Sequence, residues 1–343
     1  MIYIDGKEGG GQILRTALGL SAITGKECTI ENIRMGRPNP GLQEQHLQGV
    51  FAMQKLSNAE LKGAEKGSTK IIFSPNRLKK GDIEVKISTA GSVGLILQVL
   101  LIPGVQTKID IRIKGGASYG KFAPPIHHFE NVLFPLLRKM NYAVNLNIIR
   151  HGFFPKGGAE IEVFSPETIL KPLHIPKKGK ILSIKGISIA SKDLEKTECA
   201  ERQAKEAKQL LEKKFPEIPI HIQIEYVDAL NTGSGLQITI ETEQSFFGAD
   251  ALAEKGKTAE TIAQEAVESL FDSYEHGTVD IHTADMLLPY IALAGGSYKI
   301  PKITNHVKTN IQVIEQFLDV KFKIKENTVS LINKKDTSSK NAH

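Results

Sequence analysis

One pattern of helices and strands recurs three times along the 343 residues of the chain. Each copy begins with a glycine-containing turn and an apolar helix, followed by a strand, a loop, a second helix and two closing strands. The copies cover about residues 1–77, 82–166 and 276–333, and the first two end on the same tripeptide, Phe73-Ser74-Pro75 and Phe164-Ser165-Pro166. Because one such unit cannot bury its apolar face by itself, the repeat predicts three α/β units that share one core.

Residues 181–275 interrupt this rhythm with a strongly charged helix, predicted over Leu194 to Phe215, and with strands and a helix of their own. The preceding segment, Pro172 to Lys180, has two prolines and a basic run and is interpreted as a linker. We therefore predict an α/β (α+β) fold of three repeated βαβαββ-like units with an inserted domain. The predicted parts are a large domain of residues 1–180 and 276–335, a small α/β domain of residues 181–275, and a disordered tail of residues 336–343.

Composition narrows the class of protein but not its chemistry. The net charge is +6, from 44 Lys and Arg against 38 Asp and Glu, and this mild excess suits a phosphate-rich partner. Cys28 and Cys199 lie far apart, which disfavours a zinc site or a disulfide framework and favours a cytoplasmic location. The longest apolar run, Val93 to Val105, is too short to span a bilayer, so no membrane partner is expected.

The loop between the first strand and the first helix carries the strongest local signal. Three consecutive glycines, Gly9 to Gly11, allow close approach of a ligand to the backbone, and free amides at a helix start attract anions. Glu8 is suited to a divalent metal, and Gln12 and Arg15 lie in the first helical turn. The pattern indicates a nucleotide site, with a plain turn before a helix as the alternative.

The equivalent loops of the repeat hold further candidates. In the first copy Arg34 and Arg37 suit bidentate phosphate contacts, and Gln45 and His46 begin the next helix; a solvated basic loop is the alternative. In the second copy Gln98 is an amide inside an apolar helix, so it is either a buried amide that needs partners or a site residue.

The second and third copies also contain prolines, histidines and an aspartate that are further candidates for the site. Pro124 and Pro125 offer a surface that suits stacking of a base, whereas His127 and His128 should face different sides of their helix, which argues against a two-histidine metal site there. His306 stands just before the last helix, and His282 and Asp285 open the helix before it. A single loop histidine is usually an ordinary surface residue, but the repeat would bring these loops around one centre.

Several motifs together resemble the RNA 3'-terminal phosphate cyclase family. They are Glu8-Gly9-Gly10-Gly11-Gln12-Ile13-Leu14-Arg15, Arg34-x-Gly36-Arg37-x-x-Pro40-Gly41-Leu42, Gln45-His46, His151-Gly152-Phe153-Phe154-Pro155-Lys156-Gly157-Gly158, Ala284-Asp285, and His306-x-x-Thr309-Asn310. The match is collinear over nearly the whole chain. The resemblance implies three repeats, each similar to the C-terminal domain of a bacterial translation initiation factor, and a small inserted domain. It also implies an enzyme that uses ATP and Mg²⁺ or Mn²⁺. This enzyme would convert an RNA 3'-phosphate end to a 2',3'-cyclic phosphate and release AMP and pyrophosphate.

The resemblance also implies a role for each matching residue. His306 would be the nucleophile that carries AMP, assisted by Arg15, Arg37 and Asp285, and Glu8 would hold the metal. The nucleotide would be bound by Gln12, Arg34, Gln45, His46, Gln98, Pro124, Pro125, His282, Asp285 and Met286. Two positions depart from the family pattern, because relatives often have glutamine where Met286 stands and a stacking aromatic where His282 stands.

Two other functions fit parts of the pattern. A non-catalytic relative of the same fold, acting as a scaffold in ribosome assembly, should have lost the nucleophile or the paired arginines, yet His306, Arg34 and Arg37 are present. An enolpyruvyl-type transferase, suggested by the triple repeat, would need no ATP and would bind no RNA end. Self-association into a homo-oligomer is left open.

Overall fold

The structure is a computed structural model that describes residues 1–121 and 123–333. Its strands are β1 (Ile2–Asp5), β2 (Cys28–Glu31), β3 (Glu60–Lys62), β4 (Ile71–Ser74), β5 (Gly81–Ser92), β6 (Ile109–Ala117), β7 (Asn145–Arg150), β8 (Glu160–Ser165), β9 (Leu173–Ile175), β10 (Ile181–Ser191), β11 (Ile220–Val227), β12 (Ser234–Thr242), β13 (Phe246–Leu252), β14 (Gly296–Lys299), β15 (Val320–Lys325) and β16 (Thr328–Asn333). Its helices are α1 (Gly11–Thr24), α2 (Glu44–Ser57), α3 (Val93–Gly104), α4 (Ile126–His128), α5 (Phe134–Lys139), α6 (Cys199–Lys214), α7 (Ala259–His276), α8 (Thr283–Met286), α9 (Leu288–Ala294) and α10 (Asn305–Phe317). A π-helical turn at Phe129–Leu133 joins α4 to α5, and a 3₁₀ turn at Lys192–Thr197 precedes α6.

Three four-stranded sheets share one topology. Their strand orders are β1-β2-β4-β3, β5-β6-β8-β7 and β9-β14-β16-β15. In each sheet the first two strands of the order are parallel and the other two pairings are antiparallel. A parallel pair needs a crossover, which α1 provides in the first sheet and α3 in the second. The mixed α/β class with repeated units is therefore confirmed.

The first strand of the third sheet comes from an unexpected place. Leu173–Ile175 lies within the segment interpreted as a linker, yet it pairs in parallel with Gly296, Ser297 and Tyr298 of β14. The linker interpretation is wrong for these residues, because a strand of three residues shows no alternating pattern and its partner lies far away in the sequence. The sheet of the third copy thus begins before the interrupting residues and resumes after them, while the domain limits as such stay predictions.

The interrupting residues form a fourth sheet with its own core. Its order is β11-β10-β12-β13, and α6 and α7 pack on it around an apolar cluster that includes Ile238, Phe247 and Ala266. The charged helix buries Ala200, Ala204 and Ala207 against this sheet. A small contact of Tyr119, Phe153 and Ile189 joins this sheet to the second repeat.

Helix α1 lies at the centre of the repeats. It packs against α3 of the second copy and α10 of the third, within one continuous apolar core. The helices approach closely at Gly19, where an added Cβ would lie 2.9 Å from Cβ of Ile102. This packing brings helices of three copies to one place, and it is there that the candidate site lies.

The described residues contain no helix long and apolar enough to cross a membrane. The predicted disordered tail, residues 336–343, lies outside the described residues.

Candidate active site

The first turn of α1 faces a cleft built from three repeats. Arg15 donates from Nε to Oε1 of Gln98 at 2.8 Å, and Gln98 donates from Nε2 to the sulfur of Met286 at 3.3 Å. Gln98 therefore has partners on both sides, one from the first copy and one from the third. The polar lining of the cleft comprises Gln12, Arg15, Gln98, Asp285 and Asn310.

Two polar atoms of this cleft are buried without a protein partner. They are Nε2 of Gln12, a donor, and Oδ1 of Asn310, an acceptor. Oε1 of Gln12 accepts a hydrogen bond from Thr309 at 3.3 Å, and Nδ2 of Asn310 donates to the carbonyl of Asp285 at 2.9 Å, so each side chain is fixed at one end and free at the other. Buried polar groups are nearly always satisfied, so these two atoms indicate a polar ligand or ordered water.

His306 lies beside the cleft residue Asp285, in the first turn of α10. The helix is capped by Thr304, whose Oγ1 accepts from the amide of Val307 at 3.2 Å. Nδ1 of His306 lies 3.8 Å from Oδ2 of Asp285, an electrostatic contact longer than a hydrogen bond. The side chain of His306 is 48% exposed and that of Asp285 is 14% exposed, so the imidazole remains open to a ligand.

Burial and neighbouring charges shift the pKa values of Asp285, Arg15 and His306. Burial raises the pKa of Asp285 to about 7, opposed by the positive charge of Arg15. Burial lowers the pKa of Arg15 to about 10. The pKa of His306 is lowered, first by burial and then by the charges of Arg15 and Arg37. His306 is therefore a neutral imidazole at pH 7, the form in which it can act as a nucleophile.

The glycine loop allows a close approach of Arg37. Gly10 has φ of +61°, a left-handed conformation, and an added Cβ there would lie 3.4 Å from Nη2 of Arg37. At Gly11 an added Cβ would lie 2.6 Å from Nε2 of His46. The backbone of Gly10 and the space beside Gly11 therefore favour glycine, and the nucleotide site at this loop stays a prediction beside the plain turn. Glu8 is an exposed carboxylate on the same loop.

Arg34 differs from its neighbour Arg37. Its Nη1 donates to the carbonyls of Asn39 at 2.7 Å and Gly41 at 2.9 Å, so it holds its own loop together. Its backbone has φ of +57°, which sequence alone does not reveal for an arginine. The solvated-loop alternative therefore does not fit Arg34, and its phosphate contact stays a prediction.

The start of α2 completes this side of the site. His46 is buried, its Nδ1 accepts from the amide of Gln43 at 3.1 Å, and burial lowers its pKa to about 3. Gln45 packs against Gly91 of the second copy, where an added Cβ would lie 2.7 Å from Cβ of Gln45.

Three predicted nucleotide contacts lie apart from this cleft. Pro124 and Pro125 are buried before α4, and neither offers an open face in this structure. His282 is 41% exposed, with Nε2 3.8 Å from Oδ1 of Asp250 and its ring edge-to-face with His128 at 5.5 Å. Of these three, His282 alone is coupled to His306, since its charge is the smallest contribution to the lowered pKa of that ring.

Asp280 is a positioning residue that the sequence did not suggest. It is fully buried and accepts hydrogen bonds from the amides of His282, Thr283 and Gly248, at 2.8–3.0 Å. It therefore fixes the start of α8, which carries Asp285, and ties it to β13 of the inserted sheet. An acid three residues before a helix is an available signal for such a cap.

The prediction that His127 and His128 face different sides is confirmed. His127 contacts Tyr119 through Nδ1 at 2.7 Å, whereas Nε2 of His128 lies 3.7 Å from Asp280.

Comparison with known proteins agrees with the motifs. The family model described as RNA 3'-terminal phosphate cyclase matches residues 6–324. Proteins named RNA 3'-terminal phosphate cyclase are 42% identical over 93% of both chains in Pyrococcus abyssi, and 43% identical over 94% of this chain and 96% of theirs in Saccharolobus islandicus (strain M.14.25 / Kamchatka #1) and Sulfurisphaera tokodaii. A solved EPSP synthase from Acinetobacter baumannii, at 10% identity over 60% of this chain and 53% of that chain, has a TM-score of 0.23, too low to bear on the fold or on the transferase alternative. On the extent of the match and on these motifs, the chain belongs to the RNA 3'-terminal phosphate cyclase family.

Proposed function

We propose that this protein uses ATP to convert an RNA 3'-phosphate end to a 2',3'-cyclic phosphate, with His306 as the residue that carries AMP. The observation that carries the proposal is the neutral, half-exposed imidazole of His306 at the start of α10, with Asp285 at 3.8 Å. The name of the relatives gives the reaction class. The presence of His306, Arg15 and Arg37 disfavours a non-catalytic scaffold protein of the same fold.

In the first step Nε2 of His306 attacks the α-phosphorus of ATP. A nitrogen–phosphorus bond forms, the bond to pyrophosphate breaks, and the proton on Nδ1 leaves toward Asp285. A carboxyl group with a pKa of about 7 is suited to accept and return this proton near neutral pH. Arg37 stabilises the developing phosphate charge.

In the next two steps AMP is transferred from the histidine to the RNA 3'-phosphate, and the RNA end then cyclises. An oxygen of the 3'-phosphate attacks the AMP phosphorus, which breaks the nitrogen–phosphorus bond and gives RNA(3')pp(5')A. The neighbouring 2'-hydroxyl then attacks the 3'-phosphorus and expels AMP. Because this hydroxyl is tethered to the same ribose, proximity supplies much of the rate.

ATP and a metal both fit residues of the site. The unpartnered Nε2 of Gln12 and Oδ1 of Asn310 are a donor and an acceptor for a polar ligand in the cleft. Mg²⁺ is commonly bound through one or two carboxylates together with substrate phosphates, and Glu8 provides an exposed carboxylate on the glycine loop. Held there, Mg²⁺ or Mn²⁺ would neutralise charge on the triphosphate.

The test uses two RNAs that differ only at the terminal ribose, one with a 2'-hydroxyl beside its 3'-phosphate and one 2'-deoxy. With ATP and Mg²⁺ the first should give the cyclic end with AMP and pyrophosphate, and the second should accumulate RNA(3')pp(5')A. No product from either RNA, with folded protein, would contradict the proposal and favour the scaffold. Turnover without ATP would also contradict it.

A further inference from the structure

A second group of ionisable residues lies where the inserted sheet meets the second repeat. His127 of α4, His151 after β7 and Glu225 of β11 each place one ligand-type atom within 4.8 Å of the others. Among the described residues, no other group of three or more histidine, cysteine or acidic side chains meets in this way. His127 and His151 are 4% and 9% exposed, and Glu225 is half-buried.

Hydrogen bonds fix His151 with one nitrogen free. Oγ of Ser118 accepts from the amide of Gly152 at 3.1 Å and lies 3.1 Å from Nδ1 of His151. This contact engages Nδ1 and leaves Nε2 as the nitrogen without a hydrogen-bond partner among the described residues. When the proton is on Nδ1, the lone pair on Nε2 is the one that binds a metal.

His127 and Glu225 are held in the same manner. Nδ1 of His127 is engaged by the hydroxyl of Tyr119 at 2.7 Å, which leaves Nε2 as its other nitrogen. Gln223 donates to Oε1 of Glu225 at 2.7 Å, while Oε2 accepts no hydrogen bond from the residues that the structure describes. Each side chain thus has an outer partner that fixes its orientation, as the ligands of metal sites usually do.

The charges of the group favour a cation. His127 and His151 are buried, and burial favours the uncharged imidazole, the form that binds metals. Glu225 has another carboxylate nearby, since the pKa of Glu130 is raised first by burial and then by the charge of Glu225. Two neutral imidazoles beside a carboxylate are a common donor set for zinc.

We propose that His127, His151 and Glu225 bind a divalent transition metal of the zinc class, with water completing the coordination. The site lies apart from the glycine loop that carries Glu8, so this metal is distinct from the one carried with ATP. Glu225 is on the edge strand of the inserted sheet, opposite Ile189, which packs against Tyr119 and Phe153 of the second repeat. The metal would therefore join the inserted sheet to the large core.

The experiment titrates metal-stripped full-length protein with Zn²⁺ and with Co²⁺, without ATP. Calorimetry gives the stoichiometry, Co²⁺ gives a visible absorption band that reports its coordination, and X-ray absorption of the zinc-loaded protein identifies the donor atoms. Glu225→Gln and His151→Gln remove ligands. Glu130→Gln is the matched control, since it removes a neighbouring carboxylate outside the group, and Glu8→Gln removes the carboxylate proposed for the ATP metal.

The proposal predicts one equivalent of zinc per chain with imidazole nitrogen among its donors. Glu225→Gln and His151→Gln should weaken binding by about tenfold or more, and Glu130→Gln and Glu8→Gln by less than about twofold. Should His151→Gln fail to fold, the half-buried Glu225→Gln decides. No stoichiometric binding by folded wild-type protein, only oxygen donors, or unchanged affinity in Glu225→Gln would overturn the proposal.

Discussion

His127 and His306 occupy the same place in two copies of the repeat, each being the second residue of the copy's second helix. In the second copy the ring is 4% exposed, engaged by Tyr119 and close to Glu225 of the inserted sheet. In the third copy the ring is 48% exposed and faces Asp285. The repeat thus supplies a histidine at the same position in both copies, but the residues around the ring differ.

The two rings also owe their neutral state to different neighbours. Burial is the first cause in both, but the second is His151 for His127, whereas it is the charge of Arg15, followed by Arg37, for His306. A neutral ring that is enclosed beside an acid suits a metal ligand, while a neutral ring that is open beside guanidiniums suits attack on a phosphate. Exposure and charge, more than pKa alone, separate the two roles.

The largest expected effect concerns the exposed ring. His306→Asn should lower the rate of protein labelling from α-labelled ATP by about 10³-fold or more, because the nucleophile is gone. His127→Asn is the matched control and should keep the rate within about twofold. If the two variants lost labelling equally, the distinction between the rings would fail.

Asp285→Asn should stabilise the fold at high pH by roughly 2–4 kcal/mol, since asparagine mimics the protonated acid. The folded pKa of Asp285, about 7, lies above the unfolded value of 3.8, so the native state keeps a proton that the unfolded state has lost. Wild-type stability should therefore fall as pH rises from about 4 to 7, and the gap between the variants should open over that window and stay constant above it. Urea unfolding at pH 4 and pH 8 measures this; equal stability at pH 8 would contradict the buried acid.

Removing the guanidinium of Arg37 should take away one of the positive charges near His306, which His127 lacks. Arg37→Gln should lower the labelling rate by about 10- to 100-fold and move its acid limb to higher pH, because the positive charge that lowers the pKa of His306 is lost.

The matched change at Arg34 should act mainly on stability, by about 1–2 kcal/mol, since that side chain holds the carbonyls of Asn39 and Gly41. Labelling rates across a pH series and urea unfolding of both variants distinguish these outcomes. A larger loss of labelling in Arg34→Gln than in Arg37→Gln would reverse the assignment.

The smallest expected effect concerns Glu225, the acid close to the buried ring of His127. Glu225→Gln should change the labelling rate by less than about twofold, because the group at the inserted sheet does not touch the cleft around Arg15. Single-turnover labelling with saturating ATP measures it. A tenfold loss in folded protein would mean that the two regions are coupled.

Local signals in the sequence were sufficient for much of this arrangement. The repeat pattern predicted a helix after the glycine loop and a last helix next to His306, which are α1 and α10, and the motifs around Arg15 and His306 identified side chains that the fold brings together. The alternation of Ile83, Val85 and Ile87 was also an available signal for β5, which the sequence analysis did not use.

Long-range features were not predictable in this way. Leu173–Ile175 becomes a strand only by pairing with β14, and Glu225 meets His127 and His151 only because the inserted sheet folds back onto the second repeat. The internal hydrogen bonds of Arg34 depend on a positive φ that its sequence does not indicate. These contacts are set by tertiary packing, which no local pattern encodes.

The most direct test of the account is to find which residue carries AMP. Wild-type protein would be incubated with ATP and Mg²⁺ without RNA, digested under alkaline conditions and analysed by mass spectrometry. The account predicts one AMP per chain on the peptide that contains His306, stable to alkali and lost in acid. AMP on a lysine or on another histidine, or no adduct on folded protein, would contradict it.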